Sequence, residues 1–195
     1  MSDNIILRVV VENLAPVNGT FLTPFWFGFH DGSFDQLDAG SVASAGIERL
    51  AEDGTISTLG AEFLASGAGS AATAVFGAGG PIANGETAST LLVLDADAAT
   101  SRFVSYASMV IPSNDAFIGN DDPMERMIFD AAGNFLGASF TILGSEVWDA
   151  GTEVNTEAAS DTAFFGQSVP DTGIVEGGVI TLHRGFIPGG PILSS

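Results

Sequence analysis

The sequence has no cysteine and no lysine, and its five basic residues, all arginine, stand against 24 acidic residues. Without cysteine the chain cannot form a disulfide framework, a thiol nucleophile or a thiolate zinc site. Without lysine it cannot carry a phosphate-loop NTPase site or Schiff-base chemistry. The net charge of −19 repels phosphate backbones, so we expect no nucleic acid among its partners.

Long apolar runs are also missing, and no segment approaches the 18 uninterrupted apolar residues of a membrane helix. Residues 1–14 lack the basic start and small-residue cleavage site of a secretory leader, so we predict no leader in this chain. What the chain does contain is typical of a folded protein. Hydrophobic residues make up 46% of it and 15 are Phe, a composition that acidic disordered chains do not have.

Short apolar and alternating stretches, separated by turns rich in Gly and Pro, recur along the chain about every ten residues. They predict the strands Ile5–Val11, Pro24–His30, Thr87–Asp95, Arg102–Ile111, Arg126–Phe129, Ser139–Leu143, Thr162–Phe165 and Val179–Arg184. A parallel α/β fold needs a helix between most of its strands, and the sequence lacks these. We therefore predict an all-β fold, an antiparallel eight-stranded β-sandwich with one or two short helices in its loops.

Helical spacing is confined to one part of the sequence. Apolar residues recur at that spacing in Ser41–Glu52, with Glu48 and Glu52 expected to face outward and Gly54 as the stop signal. A shorter helical turn is predicted over Leu59–Leu64. The low-complexity stretch Ser66–Gly85 has two interpretations, an extended surface loop or an irregular sheet edge before the next strand.

Acidic residues concentrate between the predicted strands of residues 115–161. This window holds Asp115, Asp121, Asp122, Glu125, Asp130, Glu146, Asp149, Glu153, Glu157 and Asp161. Loops of a β-sandwich gather at its two ends, where acidic loops repel one another unless a cation lies among them. Calcium, which takes 6–8 oxygen ligands, is the natural candidate. Solvated loop acids without an ion are the alternative interpretation of the same pattern.

Two segments have the composition of calcium-binding loops. The first offers Asn114 and Asp115 just after a predicted strand, and the second offers Asp149 and Glu153 with a Gly between them. These segments, SNDAFIG and WDAGTE, resemble the spondin N-terminal domain family. The stretches VVVENL, FWFGFHDG and LDAGSVASAGIERLAEDG also resemble that family. The resemblance covers residues 4–186, which we predict as one domain followed by a tail at 187–195.

The resemblance implies an eight-stranded antiparallel β-sandwich that is secreted and carries a structural calcium ion. We expect a binding module rather than an enzyme. Carried over by motif, the family's metal ligands fall on Asp115, Asp149 and Glu153, where Glu153 stands in place of the family's Asp. Asn114 is a further candidate ligand. We expect an extracellular or cell-surface protein that acts in binding or adhesion. Its expected partners are calcium and a glycan, an anionic lipid or a surface protein.

Two other functions remain open from the residues alone. A self-assembling cell-surface or coat protein would suit the low charge density and the abundant Gly and Phe. A carboxylate-based hydrolase is conceivable among the acidic loops, but the aromatic residues for sugar binding are few. For His-dependent hydrolysis only His30 and His183 are present, without the Gly-x-Ser-x-Gly motif of a nucleophile elbow.

Overall fold

A computed structural model of the chain describes residues 4–193 and contains nine strands, two α-helices and two short 3-10 turns in that range. The strands are β1 Asn4–Glu12, β2 Phe21–Leu22, β3 Phe25–His30, β4 Gly69–Val75, β5 Thr87–Asp95, β6 Phe103–Ile111, β7 Ala116–Gly119, β8 Trp148–Asp149 and β9 Thr181–Leu182. The helices are α1 Ala45–Asp53 and α2 Ser57–Ser66. None of the described helices is long and apolar enough to cross a membrane.

The strands form two antiparallel sheets. β1 and β5 pair along their whole length to form a two-stranded sheet. The other seven form a larger sheet in the order β4-β3-β6-β7-β8-β9, with β2 pairing the far end of β6. In the larger sheet β7 pairs with β8. The 28 residues between these two strands contain no regular strand, so β8 is the next strand along the chain.

The larger sheet is covered on both faces, which explains why all six residues of β3 are buried. Phe25, Phe27 and Phe29 belong to the hydrophobic cluster that the inward side chains of β1 and β5 cover. Trp26 points to the opposite face and packs with the apolar residues of α1 and α2. Strand side chains alternate between faces, so the aromatic sequence of β3 supplies both cores.

The helix α1 ends at the predicted stop signal, Gly54, but begins four residues after the predicted start at Ser41. The Ser44 side chain accepts a hydrogen bond from the backbone N–H of Ile47, which caps the first turn. Gly54 ends the helix in the left-handed conformation at φ 73°. The prediction that Glu52 faces outward is wrong, since only 4% of Glu52 is exposed. Its position in the last turn places it against the loop that follows β8.

The predicted fold class is confirmed, with nine strands in place of eight. Ser66–Gly85 contains the edge strand β4, as the sheet-edge interpretation expected. Three predicted strands are not strands: Arg126–Phe129, Ser139–Leu143 and Thr162–Phe165. The first and third form only isolated bridges, because no neighbouring segment runs beside them for long enough to build a ladder. The last predicted strand is reduced to β9.

Candidate functional site

The pairing of two short strands brings the two calcium-loop candidates to one place. In the β7–β8 pair Ala116 lies opposite Asp149, so Asp115 lies at the start of β7 beside the residues that follow β8. The backbone oxygen of Asp115 accepts a hydrogen bond of 3.2 Å from the N–H of Ala150. Two segments far apart in sequence therefore form one acidic corner at the end of this sheet.

Asp115 is the buried centre of this corner. Its Oδ2 accepts hydrogen bonds from the backbone N–H groups of Thr152 at 2.8 Å and Glu153 at 3.0 Å, and from the Thr152 hydroxyl at 3.2 Å. Its Oδ1 is also buried but has no hydrogen-bond partner. Burial, together with the nearby charge of Asp149, raises the pKa of Asp115 to about 6, although its hydrogen bonds act in the opposite direction.

Gly151 gives the loop after β8 its shape. It adopts φ 69°, a left-handed conformation that residues with a side chain rarely occupy. A Cβ at this position would also lie 2.6 Å from the backbone nitrogen and oxygen of Val179. The turn at Gly151 directs the N–H groups of Thr152 and Glu153 back to Asp115, so the loop conformation and the buried carboxylate depend on each other.

Glu153 places a second buried carboxylate next to Asp115. Its Oε1 accepts a 2.6 Å hydrogen bond from the N–H of Gly173, whereas its Oε2 is buried without a partner. Burial raises the pKa of Glu153 to about 7, and the charges of Glu52, Asp115 and Asp161 add to that effect. Only 3% of Glu153 is exposed, so water does not screen this repulsion effectively.

Asp149 and Asn114 are held by hydrogen bonds within the protein. The two carboxylate oxygens of Asp149 accept hydrogen bonds from the Gly151 N–H at 2.8 Å and the Asn155 Nδ2 at 2.7 Å. Asn114 donates from Nδ2 to the backbone oxygen of Asp161 at 2.8 Å, and its Oδ1 accepts from the N–H of Glu157 at 3.3 Å. Asn114 thus positions the 157–161 segment, while Asp149 faces Asp115 as a half-buried charge.

Several buried carboxylate oxygens in and around the corner lack a hydrogen-bond partner, although in the described part of the chain the three carboxylates close enough to share one ion are Glu48, Glu52 and Asp171. Three buried carboxylate oxygens have no hydrogen-bond partner: Asp115 Oδ1, Glu153 Oε2 and Glu157 Oε2. Leaving buried charged oxygens unpaired is costly, and calcium binds carboxylate oxygens of this kind. Sequence reasoning did not select Glu157, which loop composition alone does not distinguish from its exposed neighbours. Its φ of 53° and its 2.6 Å contact with the Ile187 N–H become visible only in the fold.

Comparison with known families identifies the chain. The Spondin_N family model matches residues 18–164, a span that includes Asn114, Asp115, Asp149 and Glu153. The chain belongs to the Spondin_N family. Domains of this family are typically extracellular and non-enzymatic. None of the curated proteins matches the sequence. The match lies inside the predicted 4–186 domain, whose outer limits stay a prediction.

His30 and Ser105 lie side by side in the interior of the Spondin_N domain. His30 Nε2 lies 3.0 Å from the Ser105 Oγ, a pair that resembles part of a hydrolytic site. Both residues are fully buried, however, so no substrate reaches them. His30 Nδ1 accepts the Gly32 N–H, which makes Nε2 the protonated nitrogen that donates to Ser105. An open groove of about 340 Å³ beside β2 is lined by residues without acidic or basic groups.

Proposed function

We propose that this Spondin_N domain binds calcium at the acidic corner and acts as an extracellular binding or adhesion module. Asp115, Asp149 and Glu153 supply the carboxylate ligands, and Asn114 is a further ligand that also holds the adjacent segment. The proposal rests mainly on the Oδ1 of Asp115, which has no hydrogen-bond partner although Asp115 is fully buried. A bound cation supplies the partner that this oxygen lacks in the protein alone.

Calcium binding at the corner is expected to stabilise the fold. The ion replaces repulsion among Asp115, Asp149 and Glu153 with attraction and joins the loop before β7 to the loop after β8. A ligand that binds only the folded state adds stability in proportion to the logarithm of its concentration over Kd, about 2.7 kcal/mol at 100 times Kd. Calcium therefore acts on the domain first as a structural element that fixes its loops.

Thermal unfolding with and without calcium tests the proposal. The wild-type domain is expected to melt at a higher temperature in calcium than in chelator. Asp115→Asn keeps an oxygen for the Thr152 and Glu153 N–H groups but puts an amide where the free oxygen was, so this variant is expected to fold and to lose the calcium response. Glu12→Gln, which removes an exposed charge on β1, is the matched control and keeps the response.

Asp149→Ala separates the calcium site from a general charge effect. Removal of Asp149 relieves the repulsion on Asp115 but leaves the Gly151 N–H and the Asn155 amide without their acceptor, so the variant is compared with itself in calcium and in chelator. The melting temperature of the variant is expected to respond little to calcium. A response equal to that of the wild type in both Asp115→Asn and Asp149→Ala contradicts calcium binding at this corner.

The calcium end is also the proposed place of partner contact. A chain of charge −19 does not approach anionic lipid without a bridging cation, so lipid contact requires calcium. Co-sedimentation with phosphatidylserine vesicles in calcium and in chelator tests this contact, and a glycan array or a surface-protein pull-down tests the alternatives. Calcium-dependent binding to any of them supports a contact role, whereas binding to none leaves the ion a structural role only.

Self-assembly is a second candidate function, and one observation favours it. The outer face of the β1–β5 sheet exposes Ile6, Val10, Leu91 and Val93, each more than half exposed. Arg8 lies among them, and the acids Glu12 and Asp95 stand only at the sheet ends, so two copies meet here with little repulsion. Light scattering of the wild type and Leu91→Asp tests this contact; loss of a dimer in the variant supports it, and a wild-type monomer contradicts it.

A further inference from the structure

The strand β1 has an open edge. It pairs with β5 along one edge, and no other described strand pairs with it. Among the backbone hydrogen bonds of the described residues, none joins β1 to any segment other than β5. A strand at the edge of a sheet presents a row of N–H and C=O groups that no neighbouring strand receives, so this edge is a template for pairing with another chain.

β1 lacks the features that keep natural edge strands from pairing. Protected edges are short, carry Lys or Pro, or are interrupted by a bulge. β1 is nine residues long, contains neither Lys nor Pro, and pairs with β5 in continuous register from Asn4 to Glu12. Its length and regularity therefore suit the addition of another strand.

The side chains of β1 are compatible with a second copy of the same strand. The residues on its outer face, each of them exposed, are Asn4, Ile6, Arg8, Val10 and Glu12. Residues 4–12 contain one basic and one acidic residue, so this strand has no net charge although the chain carries −19. A second copy therefore meets less repulsion at this edge than at an acidic surface.

One register between two copies of β1 matches these charges. Copies related by a two-fold axis pair antiparallel, and outer-face residues must lie opposite each other for both strands to keep their inner faces toward the core. With the axis at Val10, Arg8 of each copy lies opposite Glu12 of the other. Full overlap of the strands, with the axis at Arg8, places the two arginines opposite each other, which is destabilising.

Both charges are free to form this contact. Arg8 donates to the Ser89 hydroxyl at 3.3 Å from Nε and 3.0 Å from Nη2, and it takes part in none of the described ion pairs. Glu12 takes part in none of these ion pairs either. Ion pairs between two copies therefore do not have to replace an ion pair within the protein.

We propose that β1 pairs antiparallel with β1 of a second copy, held in register by reciprocal Arg8–Glu12 ion pairs. The pairing joins two two-stranded sheets into one sheet in the order β5-β1-β1-β5. Val10 lies opposite its counterpart at the centre, where β-branched side chains pack across the strands. The contact uses the strand edge, so it depends neither on the calcium site nor on contact between two outer faces of the β1–β5 sheet.

Charge exchange followed by light scattering of the full chain tests this pairing. The wild type is expected to be a dimer. Arg8→Glu places acidic residues opposite each other in the contact and Glu12→Arg places basic residues there, so each variant alone is expected to be monomeric. An equimolar mixture of the two variants is expected to dimerise, because each copy then supplies the charge that the other lacks.

Val93→Asp is the control that separates edge pairing from contact between outer faces. Val93 lies on the outer face of β5 and is 58% exposed, so this variant is expected to remain a dimer. Dissociation of Val93→Asp together with dimers in both charge variants overturns edge pairing in favour of face contact. A wild-type monomer also overturns the proposal.

The mixture and a double variant test the register itself. A mixture that stays monomeric, with both variants folded by circular dichroism, contradicts the Arg8–Glu12 register. If one single variant does not fold, the double variant Arg8→Glu/Glu12→Arg replaces the mixture, since it keeps both ion pairs with their charges exchanged. This double variant is expected to be a dimer, and a folded monomer overturns the proposal.

Discussion

The carboxylate of Asp115 accepts the backbone N–H of Glu153 at 3.0 Å although the two residues are 38 positions apart in sequence. Each of them also carries a buried oxygen that has no hydrogen-bond partner. The same contact therefore fixes the loop and joins two residues that each carry a free carboxylate oxygen. This arrangement costs stability in the protein alone and favours a bound cation, which is the physical basis of the proposed calcium site.

Substitution of Gly151 is expected to destabilise the domain strongly. Gly151→Ala forces a Cβ into a left-handed backbone at φ 69° and to within 2.6 Å of the Val179 backbone. The conformation alone costs about 1 kcal/mol, and the steric overlap adds about 1–3 kcal/mol in a packed environment. Urea denaturation measures the change in the free energy of unfolding.

Gly137→Ala is the matched control for that substitution. Gly137 has a similar φ of 81°, but a Cβ there meets no atom within 4 Å. It is expected to lose only the conformational part, about 1 kcal/mol. Equal losses in the two variants contradict the close approach of Gly151 to Val179. Gly151→Ala is also expected to weaken the calcium response of the melting temperature, whereas Gly137→Ala leaves it unchanged.

Acidification is expected to destabilise the fold through His30. Burial lowers the pKa of His30 to about 4, whereas an unfolded His has a pKa near 6.5. Between these values the unfolded chain binds more protons, so the contribution of His30 is complete above pH 6.5 and is lost as the pH falls to about 4. From pH 7 to 4.5 the wild type should lose about 2 kcal/mol more than His30→Gln.

Chemical denaturation of both proteins across this range, in chelator, measures that difference. The comparison uses the variant because the raised pKa values of Asp115 and Glu153 act in the opposite direction over the same range and are common to both proteins. Parallel pH dependence of the wild type and His30→Gln contradicts a buried, neutral His30 hydrogen-bonded to Ser105.

Much of the fold could be predicted from the sequence because the relevant signals are local. Alternation of apolar residues located β1, an apolar stretch located β5, and the Gly54 stop signal located the end of α1. The Ser139–Leu143 stretch was predicted as a strand from its composition, but it has no strand partner. Strand formation requires a neighbouring segment at the right distance, and single-sequence periodicity does not report whether one exists.

The candidate site was predictable in part for the same reason. The loops that carry Asp115 and Asp149 were chosen from their composition and family resemblance, and β7 and β8 place them side by side. Glu52 was predicted to face solvent because it lies off the apolar stripe of α1. It is buried by the loop after β8, a contact between distant parts of the chain that helical spacing cannot show.

Trp148 is expected to report calcium binding by fluorescence. Its indole N–H donates to the Gly119 oxygen at 2.9 Å, and it directly precedes Asp149 in β8. Ordering of the adjacent loop by calcium should change the environment of this half-buried ring, whereas Trp26 is buried in the core and should change little. A fluorescence titration with calcium measures the change, and Trp148→Phe should abolish it while keeping the calcium-dependent rise in melting temperature. A signal that persists in Trp148→Phe contradicts this assignment.

The most direct measurement is an anomalous-scattering difference map from crystals grown in calcium and recorded at long wavelength. A calcium peak is expected at roughly 2.3–2.6 Å from the Oδ1 of Asp115, with oxygens of Asp149 and Glu153 in the same coordination sphere. Saturating calcium with no peak at Asp115 would contradict the central claim that this buried carboxylate is a metal ligand.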